Sequence, residues 1–208
     1  MVYLIPKLEG VVADIRKWRP ITMNIIYKIY AKLLAMRLQP FLTDIIHNTQ
    51  TGFLQDRSIL DNIFLFWEAV AISQEMKEDL AILLLDFEKA YYRVDWSFMR
   101  GTMEKLGFPN QWLTVVSVLY NSATTRVLVA GELGQALSIS RSVRQGCPLA
   151  PFLYLMIEEA FSSFLTRNIV NIKGLEWPWL EEQIVDCQFA DDTSLYLQGS
   201  HDNLSRVQ

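Results

Sequence analysis

The clearest hydrophobic pattern in the chain lies on either side of an Asp-Asp pair. In the stretch IVDCQFADDTSLYLQ, apolar and polar side chains alternate from Val185 to Phe189 and again at Leu195 and Leu197. Strict alternation over such short runs predicts two half-buried strands. The pair Asp191–Asp192 falls between them, which predicts a tight turn at that point.

Helical periodicity covers much of the remaining chain. Apolar residues recur at helical spacing from Thr22 to Ile46, and Pro40 is expected to kink or divide that helix. The stretch SILD, Ser58 to Asp61, resembles a capping box that opens a helix running to about Lys77. Further helices are predicted from Asp95 to Gly107, from Pro109 to about Asn121, and along CPLAPFLYLMIEEAFSSFL with Pro151 in its first turn.

Three other runs predict strands. Val2 to Ile5 is short and is followed by a predicted loop that contains Gly10 and Pro20. The run AILLLD, which ends in Asp86, has the continuous apolar pattern of a buried central strand. The run TRVLVAG predicts a strand followed by a glycine turn. Because strands and helices are mixed without a regular βαβ alternation, the predicted fold class is α+β.

Composition narrows the class of protein. The chain has 208 residues, of which 51% are hydrophobic and 20% charged, as expected for a folded protein with a sizeable core. Its two cysteines, Cys147 and Cys187, form no CxxC or Cys/His cluster, which argues against a disulfide framework and a structural zinc site. We therefore expect an intracellular, reducing location, in the nucleus or cytoplasm. Neither a secretory signal nor a membrane span is apparent.

Charge is distributed unevenly along the chain. The net charge of −4 is unlike that of a typical nucleic-acid-binding protein, which is basic. Residues 1–60, however, carry eight Lys/Arg against four Asp/Glu, whereas residues 61–208 carry eleven against nineteen. Such an asymmetry is a hint about a site and does not identify a partner.

Three carboxylates suggest a metal site. Taken alone, Asp191–Asp192 is most simply a solvated hairpin tip, and Asp86 is a polar residue at the end of a strand. Together, a carboxylate that ends a strand and a pair on a neighbouring hairpin are what a two-metal site needs. Mg²⁺ prefers hard oxygen ligands, and two such ions can activate an attacking hydroxyl and stabilise a leaving oxygen. The combination is typical of nucleotidyl transfer.

The stretch RQGCPLAPFLY provides a further candidate. Arg144, Gln145 and Gly146 form a small polar turn before a helix that begins with proline. A glycine in such a turn lets the backbone approach a flat ligand, such as a base pair, without a Cβ in between. An ordinary loop before a helix would have the same composition, so the motif alone does not decide.

The order of several motifs resembles that of a known family. The segments LIPK, WRPITMNIIYKIYAKLLAMRL, QTGFLQDRSILDNI, LLLDFEKAYYRVDW, LGFPNQWL, RQGCPLAPFLY and FADD follow one another along nearly the whole chain. They resemble the reverse transcriptase domain of non-LTR (LINE-type) retrotransposons, of the kind abundant in plant genomes. The resemblance implies a right-hand polymerase fold, with a fingers-like region in residues 1–80 and a palm with an antiparallel sheet packed on helices in residues 81–208.

The resemblance also implies the chemistry of the carboxylates. Asp86 corresponds to the first palm carboxylate, and Asp191 and Asp192 to the pair on the palm hairpin. By this analogy Asp86 and Asp191 bind two Mg²⁺ ions, for which Mn²⁺ is a possible substitute, and Asp192 supports the second ion. The implied partners are an RNA template, a DNA primer and a deoxynucleoside triphosphate (dNTP); the oligomeric state is not implied.

Five further residues match positions that contact the substrates in this family. Tyr91 falls at the aromatic steric gate beneath the incoming sugar, although a core aromatic would fit the same pattern. Gln145 and Gly146 match the loop that contacts the nascent base pair and the template. Lys7 and Arg19 fall where the family has cations for the triphosphate, and a solvated charge is the alternative for each.

The chain departs from the family pattern in a few places. Tyr92 replaces a usual Asp, with an expected effect on packing and not on chemistry, while Ser142 and Ala150 replace a common Gly and Ser around the RQG loop. Met1 falls inside the fingers, and the chain is expected to lack both an endonuclease domain and a thumb, which would otherwise grip the primer–template through phosphate contacts. Weak or absent activity of the isolated chain is therefore predicted.

Two other functions remain open on the sequence. The first is a non-catalytic nucleic-acid-binding relic or a maturase-like RNA-processing protein, for which the departures and the expected truncation are the arguments. The second is a nucleotide cyclase built on a similar palm, which lacks support because no glycine-rich turn of that family is present.

Overall fold

The computed structural model describes residues 2–6, 17–22, 25–121, 123–129, 131–167, 172–177 and 183–205. The helices in these residues are α1 Ile25–Ile45, α2 Ile59–Met76, α3 Ala90–Arg93, α4 Trp96–Lys105, α5 Asn110–Tyr120, α6 Ala150–Arg167 and α7 His201–Ser205. The strands are β1 Val2–Pro6, β2 Trp18–Thr22, β3 Leu80–Asp86, β4 Thr124–Thr125, β5 Leu128–Val129, β6 Glu132–Leu133, β7 Leu137–Ser138, β8 Asp186–Phe189 and β9 Asp192–Gln198.

Two helices begin at the capping residues that the sequence predicts. Ser58 caps α2: its hydroxyl oxygen accepts from the N–H of Leu60, and its own N–H donates to the Asp61 carboxylate at 2.9 Å, so the predicted capping box is confirmed. Asp95 caps α4, and its carboxylate accepts two backbone N–H groups of the first turn. These side-chain oxygens satisfy donors that have no partner within the helix.

Two local predictions need correction, and a third is narrowed. The helix around Pro40 is not divided, because α1 runs through it from Ile25 to Ile45, and the alternative of a kink at Pro40 stays a prediction. The predicted loop at Pro20 is β2, which pairs antiparallel with β1 so that Pro20 lies opposite Leu4. A proline is tolerated in such a two-stranded ribbon because each strand has an unpaired edge. The predicted strand TRVLVAG is split into β4 and β5, which pair with β7 and β6 respectively.

The chain forms two compact units, each built from two stretches of sequence. The first unit comprises Met1–Pro40 and Lys89–Tyr154, and the second comprises Phe41–Glu88 and Leu155–Gln208. The predicted boundary between fingers and palm at residue 80 is defined by resemblance to a family. The two compact units do not test it, and it stays a prediction. In the described part of the chain, none of the helices is both long enough and apolar enough to cross a membrane.

The second unit is organised around an antiparallel sheet in the order β3–β9–β8. Helix α2 covers part of one face, where its Ala69 and Ile72 belong to a cluster with Cys187 and Tyr196. The C-terminal half of α6 covers the opposite face, where its Leu165 joins a cluster of strand residues (Val185, Leu195 and Leu197). Burial between two helices stabilises this sheet through the hydrophobic effect.

Strand β3 is not the buried central strand that its apolar run predicts. Within the described sheet it lies at one edge, and its Leu84 is 78% exposed. The run is continuously apolar because the strand contributes to both helix layers. Leu83 and Leu85 pack against the cluster under α6, whereas Leu80 and Ile82 pack against the cluster under α2.

Strand β8 is more deeply buried than its alternating pattern predicts. Asp186 and Gln188, its polar positions, are 3% and 1% exposed. Asp186 accepts a hydrogen bond from the Ser162 hydroxyl of α6 at 3.1 Å, and burial raises the pKa of this carboxyl. The alternation of apolar and polar residues in β8 therefore does not separate a core face from a solvent face. Both faces of this strand are buried.

Candidate active site

Strand pairing brings two of the three predicted carboxylates together. Asp86 is the last residue of β3 and lies directly opposite Asp192, the first residue of β9. Directly opposed residues of an antiparallel pair project from the same face, with Cβ atoms about 5 Å apart. Both side chains are exposed, so this end of the sheet is a place where a polar ligand can reach two carboxylates.

Asp191 lies in the turn that joins β8 to β9. The strands pair up to Phe189 and Asp192, which leaves Ala190 and Asp191 to make the connection. Ala190 has a positive φ of 57°, a left-handed conformation that is uncommon outside glycine, asparagine and aspartate. The predicted hairpin with the aspartate pair at its tip is therefore present, with Asp191 half-buried.

The three carboxylates influence one another electrostatically. The pKa of Asp192 is raised by partial desolvation and, in addition, by the negative charges of Asp191 and Asp86. A raised pKa means that the folded arrangement disfavours the ionised form of this group. A cation bound at the same place would reverse that effect, because it would favour all three charges.

The donor set suits a magnesium ion better than a metal that requires a closed cage. Within the described residues, no group of three or more His, Cys, Asp or Glu side chains is already gathered tightly enough to enclose an ion. Mg²⁺ does not need such a cage, because it usually takes one or two carboxylates and completes its shell with water and phosphate oxygens. Hard, exposed carboxylate oxygens at the sheet edge fit that requirement.

Tyr91 belongs to the first unit and its ring has a defined orientation. It stacks on the ring of Tyr154, with 4.8 Å between centroids and 13° between planes. Its backbone carbonyl accepts from the N–H of Val143 at 2.8 Å. Stacking and backbone pairing limit the movement of this half-buried side chain.

Gln145 and Gly146 lie in the turn before α6, also in the first unit. Gly146 has a φ of 83°, so this position uses the conformational freedom that only glycine has at low cost. The Gln145 amide oxygen accepts a hydrogen bond of 2.5 Å from the hydroxyl of Tyr92. The residue that departs from the family pattern thus orients the side chain of the RQG loop, an effect beyond the packing that we expected.

Ser142 occupies a position that requires glycine-like backbone geometry. Its φ is 105°, its N–H donates to the Val94 carbonyl at 2.8 Å, and its carbonyl accepts from the Trp96 indole at 2.9 Å. These bonds hold a strained conformation in place. This positive φ explains why glycine is common at the corresponding position of the family. It also explains why a serine there is expected to reduce stability. Ala150, the other substitution nearby, is the buried first residue of α6.

Replacing Ser142 with glycine is expected to raise the free energy of unfolding by about 1 kcal/mol, because the strain of a positive φ is relieved. The measurement is urea denaturation followed by circular dichroism. Ser140→Gly, in the same segment without a positive φ, is the control and should lower stability slightly. Equal effects of the two substitutions would show that Ser142 is not strained.

The side chains of two predicted site residues lie outside the part of the chain that the structure describes. Lys7 lies outside the described residues. For Arg19 the structure describes the backbone, which lies in β2 opposite Ile5. The assignment of both residues to the triphosphate stays a prediction.

A segment without a predicted catalytic or binding role contacts the Asp191 hairpin. Gln50 forms a parallel bridge with Gln188 of β8, the N–H of Thr51 donates to the Gln188 carbonyl at 2.9 Å, and the N–H of Gln188 donates to the Thr49 carbonyl at 2.8 Å. The signal in the sequence is the segment QTGFLQDRSILDNI, which matches the family in order but contains no obvious catalytic group. Its contacts are between residues more than 130 positions apart, which no local pattern reveals.

Comparisons with known proteins identify relatives and a shared fold. The family model described as "Reverse transcriptase (RNA-dependent DNA polymerase)" matches residues 5–208. The "Transposon TX1 uncharacterized 149 kDa protein" of Xenopus laevis is 34% identical over 206 residues, which are 99% of this chain and 15% of that protein. A "Retrovirus-related Pol polyprotein from type-1 retrotransposable element R2" of Popillia japonica is 28% identical over 92% of this chain and 26% of its own length.

Solved structures of telomerases have the same fold. The telomerase of Candida albicans, solved in complex with a fragment of telomeric RNA, superposes with a TM-score of 0.61 at 13% identity, over 99% of this chain and 39% of that chain. A truncated telomerase of Candida tropicalis superposes with a TM-score of 0.58, also at 13% identity, over 99% of this chain and 44% of that chain. The predicted α+β right-hand polymerase fold is therefore confirmed.

The relatives are retrotransposon proteins, and this chain spans 15% and 26% of the lengths of the two that are named. The family model covers nearly every residue, and the sheet presents the aspartates of DFEKAY and FADD at one end. The chain belongs to the reverse transcriptase (RNA-dependent DNA polymerase) family.

Proposed function

We propose that this chain is the fingers–palm portion of a non-LTR retrotransposon reverse transcriptase, which adds deoxynucleotides to a primer 3′-hydroxyl on an RNA template. The observation that carries the proposal is the pairing of Asp86 with Asp192 at the edge where the Asp191 turn emerges. The negative charges of Asp86 and Asp191 help to raise the pKa of Asp192, and this repulsion supports a cation-binding role for the cluster.

The three carboxylates would perform separate tasks. Asp86 and Asp191 are proposed to hold two Mg²⁺ ions, or Mn²⁺ in their place, and Asp192 to support the second. When bound, such ions lower the pKa of the attacking hydroxyl and neutralise the charge that develops on the leaving pyrophosphate. The protein contributes the fixed spacing of its ligands, since β3 and β9 are held in register by backbone hydrogen bonds.

The remaining predicted residues would select and orient the substrates. Tyr91 is proposed as the steric gate that disfavours a 2′-hydroxyl, and its stacking on Tyr154 supports this by restricting the ring. Gln145 and Gly146 are proposed to contact the nascent base pair and template. Lys7 and Arg19 are proposed to bind the triphosphate. With both cysteines present as buried thiols, we also propose a reducing intracellular location, nuclear or cytoplasmic.

The proposal is tested by single-nucleotide addition to a labelled DNA primer annealed to an RNA template. We expect slow, template-directed addition of the complementary dNTP, at least about tenfold preference over the ribonucleotide, loss of activity with EDTA, and few long products. RNA binding that is indifferent to loss of Asp191, with no addition under Mg²⁺ or Mn²⁺, would instead favour a non-catalytic relic. A cyclic product from GTP alone would favour a cyclase.

A further inference from the structure

The turn that carries Asp191 contains a backbone conformation that needs external support. Ala190, the residue before it, has a φ of 57° and is 7% exposed. A left-handed conformation at a non-glycine residue is unfavourable by itself and persists when the surroundings determine it. The location of Asp191 therefore depends on what contacts Ala190.

The Gln50 side chain contacts both backbone polar groups of Ala190. Its Oε1 accepts from the Ala190 N–H at 3.1 Å, and its Nε2 donates to the Ala190 carbonyl at 3.2 Å. The same amide accepts from the Gly52 N–H at 2.8 Å and donates to the Gln188 side chain at 3.2 Å. All four hydrogen-bonding positions of the amide are thus used, and Gln50 is 1% exposed.

The segment that carries Gln50 is itself anchored to β8 and α2. The Thr51 hydroxyl donates to Asn62 of α2 at 2.7 Å, and the Asn62 amide donates to the Gln188 carbonyl at 3.0 Å. With the backbone bridge between Gln50 and Gln188, these bonds form a polar network between the segment, α2 and the hairpin. Buried hydrogen bonds that link three elements restrain the local structure, although the Nε2 of Gln188 is buried without a partner among the described residues.

Gly52 allows the segment to approach the turn closely. A Cβ at this position would lie 2.3 Å from the Ala190 backbone nitrogen and 2.9 Å from its Cα. Real Cβ atoms do not come so near to backbone, so any other residue would push the turn or the segment away. Gly52, by its close approach, and Gln50, by its side-chain amide, therefore both contact Ala190.

We propose that Gln50 and Gly52 are positioning residues that set the location of the Asp191 carboxylate by holding the Ala190 backbone. The role rests on the proposed function, because it matters for catalysis only if Asp191 is a metal ligand. Misplacement of a catalytic group by about 1 Å can cost about 100-fold in rate. In this role the two residues act on Asp191 through the turn, by their contacts with Ala190.

The test uses two variants, Gln50→Met and Gly52→Ala. Gln50→Met keeps the side-chain volume and removes the four hydrogen bonds of the side-chain amide. The matched controls are Gln55→Ala, an exposed glutamine of the same segment, and Gly101→Ala, where a Cβ meets nothing within 4 Å. Three properties are measured: amide hydrogen exchange of residues 188–192, Mn²⁺ affinity by electron paramagnetic resonance, and kcat and KM for single-nucleotide addition.

We expect Gln50→Met to exchange at least about tenfold faster at Ala190, to bind Mn²⁺ about tenfold more weakly, and to lose about 100-fold in kcat with little change in KM for dNTP. Its circular dichroism should remain that of the parent. Exchange unchanged at residues 188–192 in Gln50→Met would overturn the inference, and this holds even if Gly52→Ala does not fold.

Failure of the proposed function gives a different result. The parent chain would then neither bind Mn²⁺ nor add nucleotides, while Gln50→Met would still accelerate exchange at the hairpin. Altered exchange with normal Mn²⁺ affinity and normal kcat, in a parent that is active, would limit Gln50 to a structural role and overturn its role in positioning.

Discussion

Replacing Asp191 with asparagine is expected to slow nucleotide addition on the order of 10³-fold or more, because an anionic ligand of the proposed metal ions is lost. Asp86→Asn should behave in the same way. Neither change should lower the free energy of unfolding, since the charges of Asp191 and Asp86 add to desolvation in raising the pKa of Asp192, and a neutral side chain removes one of those charges. Asp192→Asn is expected to cost less activity, because this residue supports only one ion.

The measurements are single-turnover addition with Mg²⁺, Mn²⁺ affinity, and urea denaturation of each variant. Asp44→Asn, an exposed aspartate of α1, is the control for a change of charge alone and should leave the rate unchanged. Activity that survives Asp86→Asn or Asp191→Asn would remove the metal assignment. A large loss of stability would show that the carboxylates have a structural role after all.

Replacing Arg57 with alanine is expected to lower the free energy of unfolding by about 3 kcal/mol. The guanidinium donates to the carbonyls of His47 at 2.5 Å, Gln50 at 2.8 Å, Ile46 at 3.0 Å and Thr43 at 3.1 Å. Carbonyls at the end of a helix have no partner within it, and here one side chain binds the carbonyl of Thr43 in the last turn of α1 and three carbonyls that follow the helix. Desolvation lowers the pKa of Arg57, which offsets part of the gain from these bonds.

Urea denaturation measures this effect, with Arg37→Ala, an exposed arginine of α1, as the control that should change stability little. Arg57→Lys should recover only part of the loss, because an ammonium group cannot reach four carbonyls in the geometry of a planar guanidinium. A loss below about 1 kcal/mol in Arg57→Ala would mean that solvent replaces these bonds easily. Since Arg57 also binds the Gln50 carbonyl, its loss should additionally accelerate exchange at the Asp191 hairpin.

Local patterns predicted a large part of the fold. The caps at Ser58 and Asp95 and the turn next to Asp192 depend on a residue and its neighbours within a few positions, so the sequence is sufficient to reveal them. Local patterns also indicate the carboxylates of the candidate site, but only when Asp86 is combined with the pair Asp191–Asp192. Their proximity required the register of β3 and β9.

Other features were decided by long-range contacts. The edge position of β3, the burial of Asp186 and the orientation of Gln145 by Tyr92 depend on which element packs beside each residue. A hydrophobic pattern indicates which side chains are buried away from water, but not which element packs against them. For the same reason the sequence around Pro20 predicts a loop, although Pro20 lies in a strand.

By itself, the sequence determined the α+β class, the helix caps, the hairpin and the family, since each rests on local chemistry or on the order of motifs. The tertiary structure alone decided that Gln50 and Gly52 contact the backbone before Asp191, and that Arg57 binds carbonyls in and just after the last turn of α1. The physical reason is that hydrogen bonds and close approaches between distant segments depend on distances that exist only after the chain has folded.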